Sequence, residues 1–155
     1  MHYMSDDMSL AAQAMLARCL FQRTRTAART VTRFYDDELR PTGLRATQAN
    51  VLANIAARGE LSISALSDEL GMDRTTLTRN LRPLEQRGLV ALSPEARHRT
   101  RLVRLTPTGF AALGEIAQCW ERAQTALEHS LGTRGVANVR EGIAAITASA
   151  SRTGR

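Results

Sequence analysis

Between Ser64 and Gly88 the sequence reads SALSDELGMDRTTLTRNLRPLEQRG, and two helical patterns meet at its Gly71. Ser64 and Asp73 are of residue types that begin helices, because their side-chain oxygens accept hydrogen bonds from the free N–H groups of a first turn. Gly71 readily adopts the left-handed conformation that ends a helix. Behind each cap, leucines recur at three- and four-residue steps and indicate a buried face. Two short helices joined by a tight glycine turn predict a helix-turn-helix motif.

The second helix of this motif is predicted to run from Arg74 to Arg87. Its leucines lie on one side and are expected in the core. Pro83 lies inside the helix and lacks a backbone N–H, so we expect it to kink the last turns.

The outward face of this helix carries side chains suited to reading DNA. Arginine can donate two parallel hydrogen bonds to guanine, and the methyl group of threonine can contact that of thymine. Serines and free amides at the start of the preceding helix suit phosphate contacts. A merely solvated face is the alternative, and the agreement of caps, turn and leucine spacing favours DNA. The DNA-contacting residues predicted on the helix pair are Ser62, Ser64, Arg74, Thr75, Thr76, Thr78, Arg79 and Arg82.

After Gly88 the pattern changes to two short strands, at 89–92 and 101–105, with a polar tip at 93–100. This pattern predicts a hairpin beside the helix pair, which is a wing. Arginines at a hairpin tip suit the narrow minor groove, whose negative potential attracts guanidinium groups. A charged turn that only discourages pairing between sheet edges is the alternative. The wing residues predicted to contact DNA are Arg97, Arg99 and Arg101.

Longer helical patterns lie before the helix pair and after the wing. The first is predicted as one helix of roughly 30 residues from Leu10 to Leu39, and a helix of that length often packs against another subunit. Thr47 is predicted to cap the next helix. After the wing, Thr106 is predicted to cap a long helix that breaks at 132–135 before a last helix begins.

The charge of the chain favours a polyanionic partner. The 155 residues carry a formal net charge of +6, and every one of the 21 basic residues is arginine. Arginine use can also reflect a GC-rich genome, so placement decides. From Asp73 to Leu105, eight arginines face only three acidic residues. A winged helix that binds a protein, which is the rival interpretation, would more often expose apolar residues there.

Several function classes find no support in the sequence. It contains no HExxH, GxSxG or glycine-rich phosphate loop, and its histidines and cysteines lack zinc-ligand spacing. We therefore expect no enzyme, no cofactor and no metal site. Cys19 and Cys119 form no CxxC pair, which favours a reduced intracellular chain. With no membrane-length apolar run and no signal-peptide pattern at the start, we expect a cytoplasmic protein without membrane contact.

Five motifs, together with the order of elements, resemble the MarR family of bacterial transcriptional regulators. They are GLRATQ (43–48), LSDELG (66–71), TLTR (76–79), LEQRGLV (84–90) and VRLTPTG (103–109). The resemblance runs from about Cys19 to the end of the chain. It implies a homodimer that carries two winged domains onto a palindromic operator on double-stranded DNA. It also implies repression that is relieved by a small aromatic or phenolic ligand, or by cysteine oxidation.

The predicted fold is mainly α with a small β-wing. A winged helix-turn-helix DNA-binding domain is expected at 45–106, with long dimerisation helices at 9–40 and 107–150. The wing departs from the family pattern at one point. Arg99 takes the place of the family's arginine, but Arg97 stands where the family has an orienting aspartate, and Glu95 is the acidic residue left to replace it.

The sequence leaves two sensing devices open as alternatives. Cys19 lies near Arg18 and Arg23, whose charges favour a reactive thiolate, although a free cysteine is more commonly a small buried apolar residue. A ligand pocket is expected where the first predicted helix and the long helix after the wing meet the winged domain, because arginine with an aromatic ring suits an aromatic carboxylate. Dimer packing and surface charge compete for the same residues. The pocket residues are predicted as Arg25, Arg29, Tyr35 and Trp120.

Overall fold

The helix pair at the centre of the chain is flanked by further helices and packs against a small sheet. The structure is a computed structural model and describes residues 3–94 and 101–153. Its helices and strands are, in chain order, α1 (Tyr3–Arg18), α2 (Leu20–Leu39), a 3₁₀ turn (Arg40–Thr42), α3 (Ala46–Arg58), β1 (Leu61–Ser62), α4 (Ile63–Leu70), α5 (Arg74–Gln86), β2 (Val90–Leu92), β3 (Leu102–Leu105) and α6 (Pro107–Thr153). The predicted fold class, mainly α with a small β-wing, is confirmed.

The wing belongs to a three-stranded antiparallel sheet of order β1-β3-β2. Leu61 pairs with Val103, and Val90 pairs with Leu105. The side chains of Val103 and Leu105 point into the core, which also takes in leucines from α3, α4 and α5. Gly109, in the first turn of α6, approaches so closely that an added Cβ would collide with the carbonyl oxygen of Leu89. The sheet is therefore anchored to both the helix pair and α6.

The N-terminal helix pattern contains a break that was not predicted. Instead of one helix from 10 to 39, α1 ends at Arg18 and α2 begins at Leu20, because Cys19 adopts an extended backbone conformation with φ −72° and ψ 102°. The side chain of Arg23 donates a hydrogen bond to the carbonyl of Ala17 across the break, at 3.0 Å. No glycine or proline marks this position, so the sequence pattern did not reveal it.

Two predicted helix caps were wrong. Ala46, not Thr47, begins α3, and its N–H donates to Asp36 Oδ1 of α2 at 2.7 Å. A residue from another helix therefore supplies this cap. In α4, Ser62 rather than Ser64 is the cap, and its hydroxyl oxygen accepts from the N–H of Ala65 at 3.0 Å. The chain passes from β1 straight into the helix, which moves the start two residues earlier.

The structure agrees with the predicted starts of α5 and α6 and with the predicted break in α6. Asp73 caps α5, which continues past the internal Pro83 to Gln86. Thr106 Oγ1 accepts from the N–H of Gly109 at 3.0 Å and so caps α6. The expected break in α6 occurs at Gly132, whose φ is +67° and ψ 165°.

Apolar side chains are exposed along the terminal helices. They are Met8, Leu10, Met15 and Leu16 on α1, Leu20, Phe21 and Val31 on α2, and Phe110, Trp120, Leu131, Val139, Ile143 and Ile146 on α6. Across the described ranges, no helix combines the length and the hydropathy needed to cross a membrane.

Candidate nucleic-acid interface

Helix α5 presents one apolar and one polar face. Leu77, Leu81 and Leu84 are buried, with exposed fractions of at most 1%. Their three- and four-residue spacing turns the remaining positions outward. The predicted DNA-contacting residues that are exposed on α5 are Arg74, Thr75, Thr76, Thr78, Arg79 and Arg82.

Hydrogen bonds within α5 divide these polar side chains into two groups. Thr76 donates its hydroxyl proton to Asp73 Oδ2 at 2.7 Å, and Thr78 donates to the carbonyl of Arg74, also at 2.7 Å. Both hydroxyl protons are therefore used within the helix and its cap, and these two oxygens can only accept further hydrogen bonds. In residues 3–94 and 101–153, no carboxylate pairs with the guanidinium groups of Arg74, Arg79 and Arg82. Those three cations are the groups that α5 offers to an anionic partner.

The start of α5 depends on the charge of Asp73. Its carboxylate accepts from the hydroxyl and the backbone N–H of Thr76, and these bonds lower the pKa of Asp73 below its ordinary value. Because the folded pKa is the lower one, this stabilisation is present above the unfolded pKa of about 3.9 and is lost as the pH falls through the folded pKa.

Asp73→Ala is therefore expected to lower the melting temperature at neutral pH, and the difference from the wild type should shrink below about pH 3.9. Thermal unfolding followed by circular dichroism over a pH series measures this. Asp68→Ala removes an exposed carboxylate of α4 that caps no helix, and serves as the control. A difference between Asp73→Ala and wild type that stays constant down to the most acidic pH would show that the cap does not depend on charge.

The two serines predicted to contact phosphate occupy different positions at the start of α4. Ser62 uses its oxygen to cap α4, whereas Ser64 lies in the first turn and is partly buried. The wing tip lies outside the described residues, and with it the predicted contacts of Arg97 and Arg99. Arg101 lies at the base of β3, partly buried, and its carbonyl accepts from the N–H of Ile63 at 3.1 Å.

Arg87, at the end of α5, is a positioning residue that the sequence reasoning did not single out. Its guanidinium donates to the carbonyls of Gly43 and Thr42, at 2.9 and 3.1 Å. These carbonyls lie in the turn between α2 and α3. The two bonds fasten the far end of α5 to that turn.

An open groove of about 730 Å³ lies between α2, α3 and α6. This volume is typical of small-molecule sites. Tyr35 and Trp120, both predicted pocket residues, line it. Arg25 and Arg29 do not, since Arg25 stacks over the ring of Phe21 at 5.4 Å and Arg29 donates to Thr26 at 3.1 Å. The remaining lining residues are Val31, Thr32, Leu39, Ala46, Thr47, Ala49, Asn50, Ala53, Ala56, Ala57, Leu113, Ile116 and Ala117.

The two cysteines lie in different surroundings. Cys19 is partly exposed at the break between α1 and α2, and its sulfur accepts from the N–H of Gln22 at 3.4 Å. Arg23, expected to assist the thiol, donates instead to a backbone carbonyl. Cys119 is buried and accepts from Arg122 at 3.2 Å. Sensing by Cys19 stays a prediction. Among the described side chains, no group of three His, Cys, Asp or Glu residues could hold a metal ion.

Comparisons with known proteins agree with a winged helix-turn-helix fold. A family model described as MarR family matches residues 42–99. The M. tuberculosis transcriptional regulator MosR, solved in complex with DNA, is 36% identical, with a TM-score of 0.77 over 88% of this chain and 98% of that chain. A second MosR structure is 35% identical, with a TM-score of 0.76 over 87% and 97%.

More distant likeness extends to a mutant of E. coli MarR complexed with operator DNA. It is 24% identical, with a TM-score of 0.75 over 85% of this chain and 96% of that chain, and at this identity it supports the fold alone. No curated protein sequence matches the chain.

Proposed function

The chain belongs to the MarR family of transcriptional regulators, and from that premise we propose that it is a homodimeric repressor which binds a palindromic operator and is released by a small aromatic ligand. The family consists of regulators and not of enzymes. The observation that carries the proposal is the exposed row of three guanidinium groups on α5, which have no carboxylate partner within residues 3–94 and 101–153.

Helix α5 suits the major groove. It is 13 residues long, it is exposed along one side, and its cations lie where base edges and phosphates would be met. Thr75 adds a methyl group to the same face as Arg79, four residues away. We assign DNA binding to the winged domain at 45–106, with MosR in complex with DNA as the supporting parallel.

The terminal helices suit a dimer interface. Thirteen of their large apolar side chains are exposed, and extensive exposed apolar surface usually marks an interaction site. We assign dimerisation to 9–40 and 107–150. A twofold dimer would present two copies of α5 about 34 Å apart, which is one turn of DNA and the reason for a palindromic site.

The groove suits an effector site because of the helices that border it. It touches α2 and α6, which we assign to the dimer, and α3, which packs on α5. A ligand that binds better to one spacing of the two α5 helices shifts the population towards that spacing. Arg87 provides a mechanical link from the α2–α3 turn to α5.

The test is binding to DNA from just upstream of the protein's own gene, compared with a scrambled duplex, across a salt series. We expect a clear preference for the upstream DNA and a linear fall of log K with log salt, because binding arginines releases counterions from phosphates. Equal, weak binding to both duplexes with little salt dependence would contradict the proposal and point to a protein partner.

A further inference from the structure

The C-terminal end of α5 is bonded to both of the helices that we assign to the dimer. Arg87, which follows the last residue of α5, donates to the carbonyls of Thr42 and Gly43 just after α2, at 3.1 and 2.9 Å. Two residues later, the carbonyl of Leu89 accepts from the N–H of Thr106, just before α6, at 3.1 Å. This end of α5 is therefore held from two sides.

The two attachments differ in kind. On the α6 side the contact is between main chains, because Gly109 lies so close to the carbonyl of Leu89 that a Cβ would not fit. On the α2 side the attachment is the exposed side chain of Arg87. Removing that side chain leaves the contact with α6 and the buried leucines of α5 in place. Loss of Arg87 is therefore expected to loosen the position of α5 without unfolding it.

The turn that accepts these bonds is itself fixed to α2. Asp36, in α2, accepts from the N–H of Ala46 through Oδ1 at 2.7 Å, and its Oδ2 pairs with Arg45 at 3.2 Å. The segment between α2 and α3 is thereby tied back to α2 on one side and bonded to Arg87 on the other. Arg87 consequently connects α5 to a point that moves with α2.

The length of α5 makes this attachment important for DNA binding. Adding one base pair between two half-sites separates them by about 3.4 Å and turns one relative to the other by about 35°. The translation requires each α5 of a dimer to move by about 1.7 Å. A tilt of about 5° at the Arg87 end produces that movement at Arg74, which lies about 20 Å away along the helix. A loose attachment at Arg87 thus allows part of an adjustment that a firm one resists.

We propose that Arg87 is a positioning residue that makes operator binding selective for the spacing of the two half-sites, because it ties α5 to the end of α2. It acts through main-chain carbonyls of the protein and not through a phosphate of the DNA. The inference rests on the proposed function, in which a dimer binds two half-sites, and it assigns the spacing selectivity of that dimer to one side chain.

Arg87→Met keeps the apolar stem of the side chain and removes its hydrogen-bond donors. Affinity is measured by fluorescence anisotropy for the operator and for duplexes with one base pair added or removed between the half-sites, each across a salt series. The preference for the native spacing should fall at least about threefold in the variant, as expected for the loss of about one hydrogen bond. The salt slope should stay that of the wild type, because no phosphate contact is lost.

Arg82→Met is the matched variant. Arg82 is exposed on the same helix, and no carboxylate of the described residues pairs with it. We expect the opposite result there, a salt slope that is shallower by about one unit per contact and an unchanged preference for the native spacing. Circular dichroism checks that both variants are folded.

The freedom of α5 is measured separately in the DNA-free protein. Thr75→Cys places a spin label on the exposed face of α5, in a Cys19→Ser background in which the remaining Cys119 is buried from the label. Pulsed electron paramagnetic resonance then gives the distribution of distances between the labels of the two protomers. We expect a broader distribution when Arg87→Met is added.

Three results would overturn the inference. They are a wild-type protein that does not distinguish between spacings, an Arg87→Met protein with a shallower salt slope and an unchanged spacing preference, and equal widths of the two distance distributions. The label experiment also separates the inference from the proposed function. A dimer with equal widths contradicts the role of Arg87 alone, whereas a protein without any distance between labels is a monomer and contradicts the proposed dimer as well.

Discussion

Arg79→Ala is expected to lower the affinity for the operator by about 2 kcal/mol per half-site, which is the usual contribution of a bidentate arginine–guanine contact. The dimer presents α5 twice, and the two contacts are far enough apart to add. The total loss is therefore roughly a thousandfold. The guanidinium of Arg79 is exposed, has no carboxylate partner among the described residues, and shares its helix face with Thr75.

The measurement is operator affinity by fluorescence anisotropy, with the wild-type duplex and with duplexes changed at one base pair in each half-site. If Arg79 contacts a base, the Arg79→Ala protein should no longer distinguish between base pairs at one position of each half-site. It should then bind the changed duplex as tightly as it binds the original duplex. If it contacts only phosphate, affinity should fall for all duplexes alike and the salt slope should become shallower by about one unit per contact.

Arg152→Ala is the matched control. It removes the same charge from the last turn of α6, outside the segments that we assign to DNA binding and to dimerisation. A loss of affinity in Arg79→Ala no larger than that in Arg152→Ala would contradict a DNA-reading role for α5.

Ile143→Glu is expected to convert the protein into a monomer and to weaken operator binding by a factor of about 10²–10⁴, because two linked half-site domains bind far more tightly than one. Ile143 is 61% exposed in the isolated chain and follows Val139 by four residues on α6. A glutamate there is solvated in the monomer, but a dimer would bury two unpaired carboxylates related by the twofold axis.

Sedimentation equilibrium measures the change in oligomeric state, and circular dichroism shows whether α6 stays helical. Ala145→Glu is the control, because Ala145 lies on the opposite side of the helix, on the same face as Glu141. We expect that variant to remain dimeric. A dimeric Ile143→Glu protein with unchanged operator affinity would show that the apolar surface of α6 after Gly132 is not the interface.

Local signals in the sequence determined the helix pair, the wing and the caps of α5 and α6. Asp73 caps α5 through an N–H three residues away, and Thr106 caps α6 over the same distance. The buried leucines of α5 repeat every three or four residues, which is the period of the helix itself. Such features depend on backbone preferences within one or two turns, so a single sequence contains them. For the same reason the outward arginines of α5 could be identified before the fold was known.

Only the tertiary structure decided the features that join distant parts of the chain. Asp36 caps α3 from the neighbouring helix, Arg87 reaches carbonyls more than forty positions earlier, and Tyr35 meets Gln124 across a separation of 89 positions. Each contact depends on how the helices cross, and that is set by the packing of the whole core, not by residues nearby in sequence. The hydrogen bond that orients Tyr35 at the groove is one of these long-range contacts. The sequence could therefore nominate Tyr35 and Trp120, but it did not show that Arg25 and Arg29 lie elsewhere.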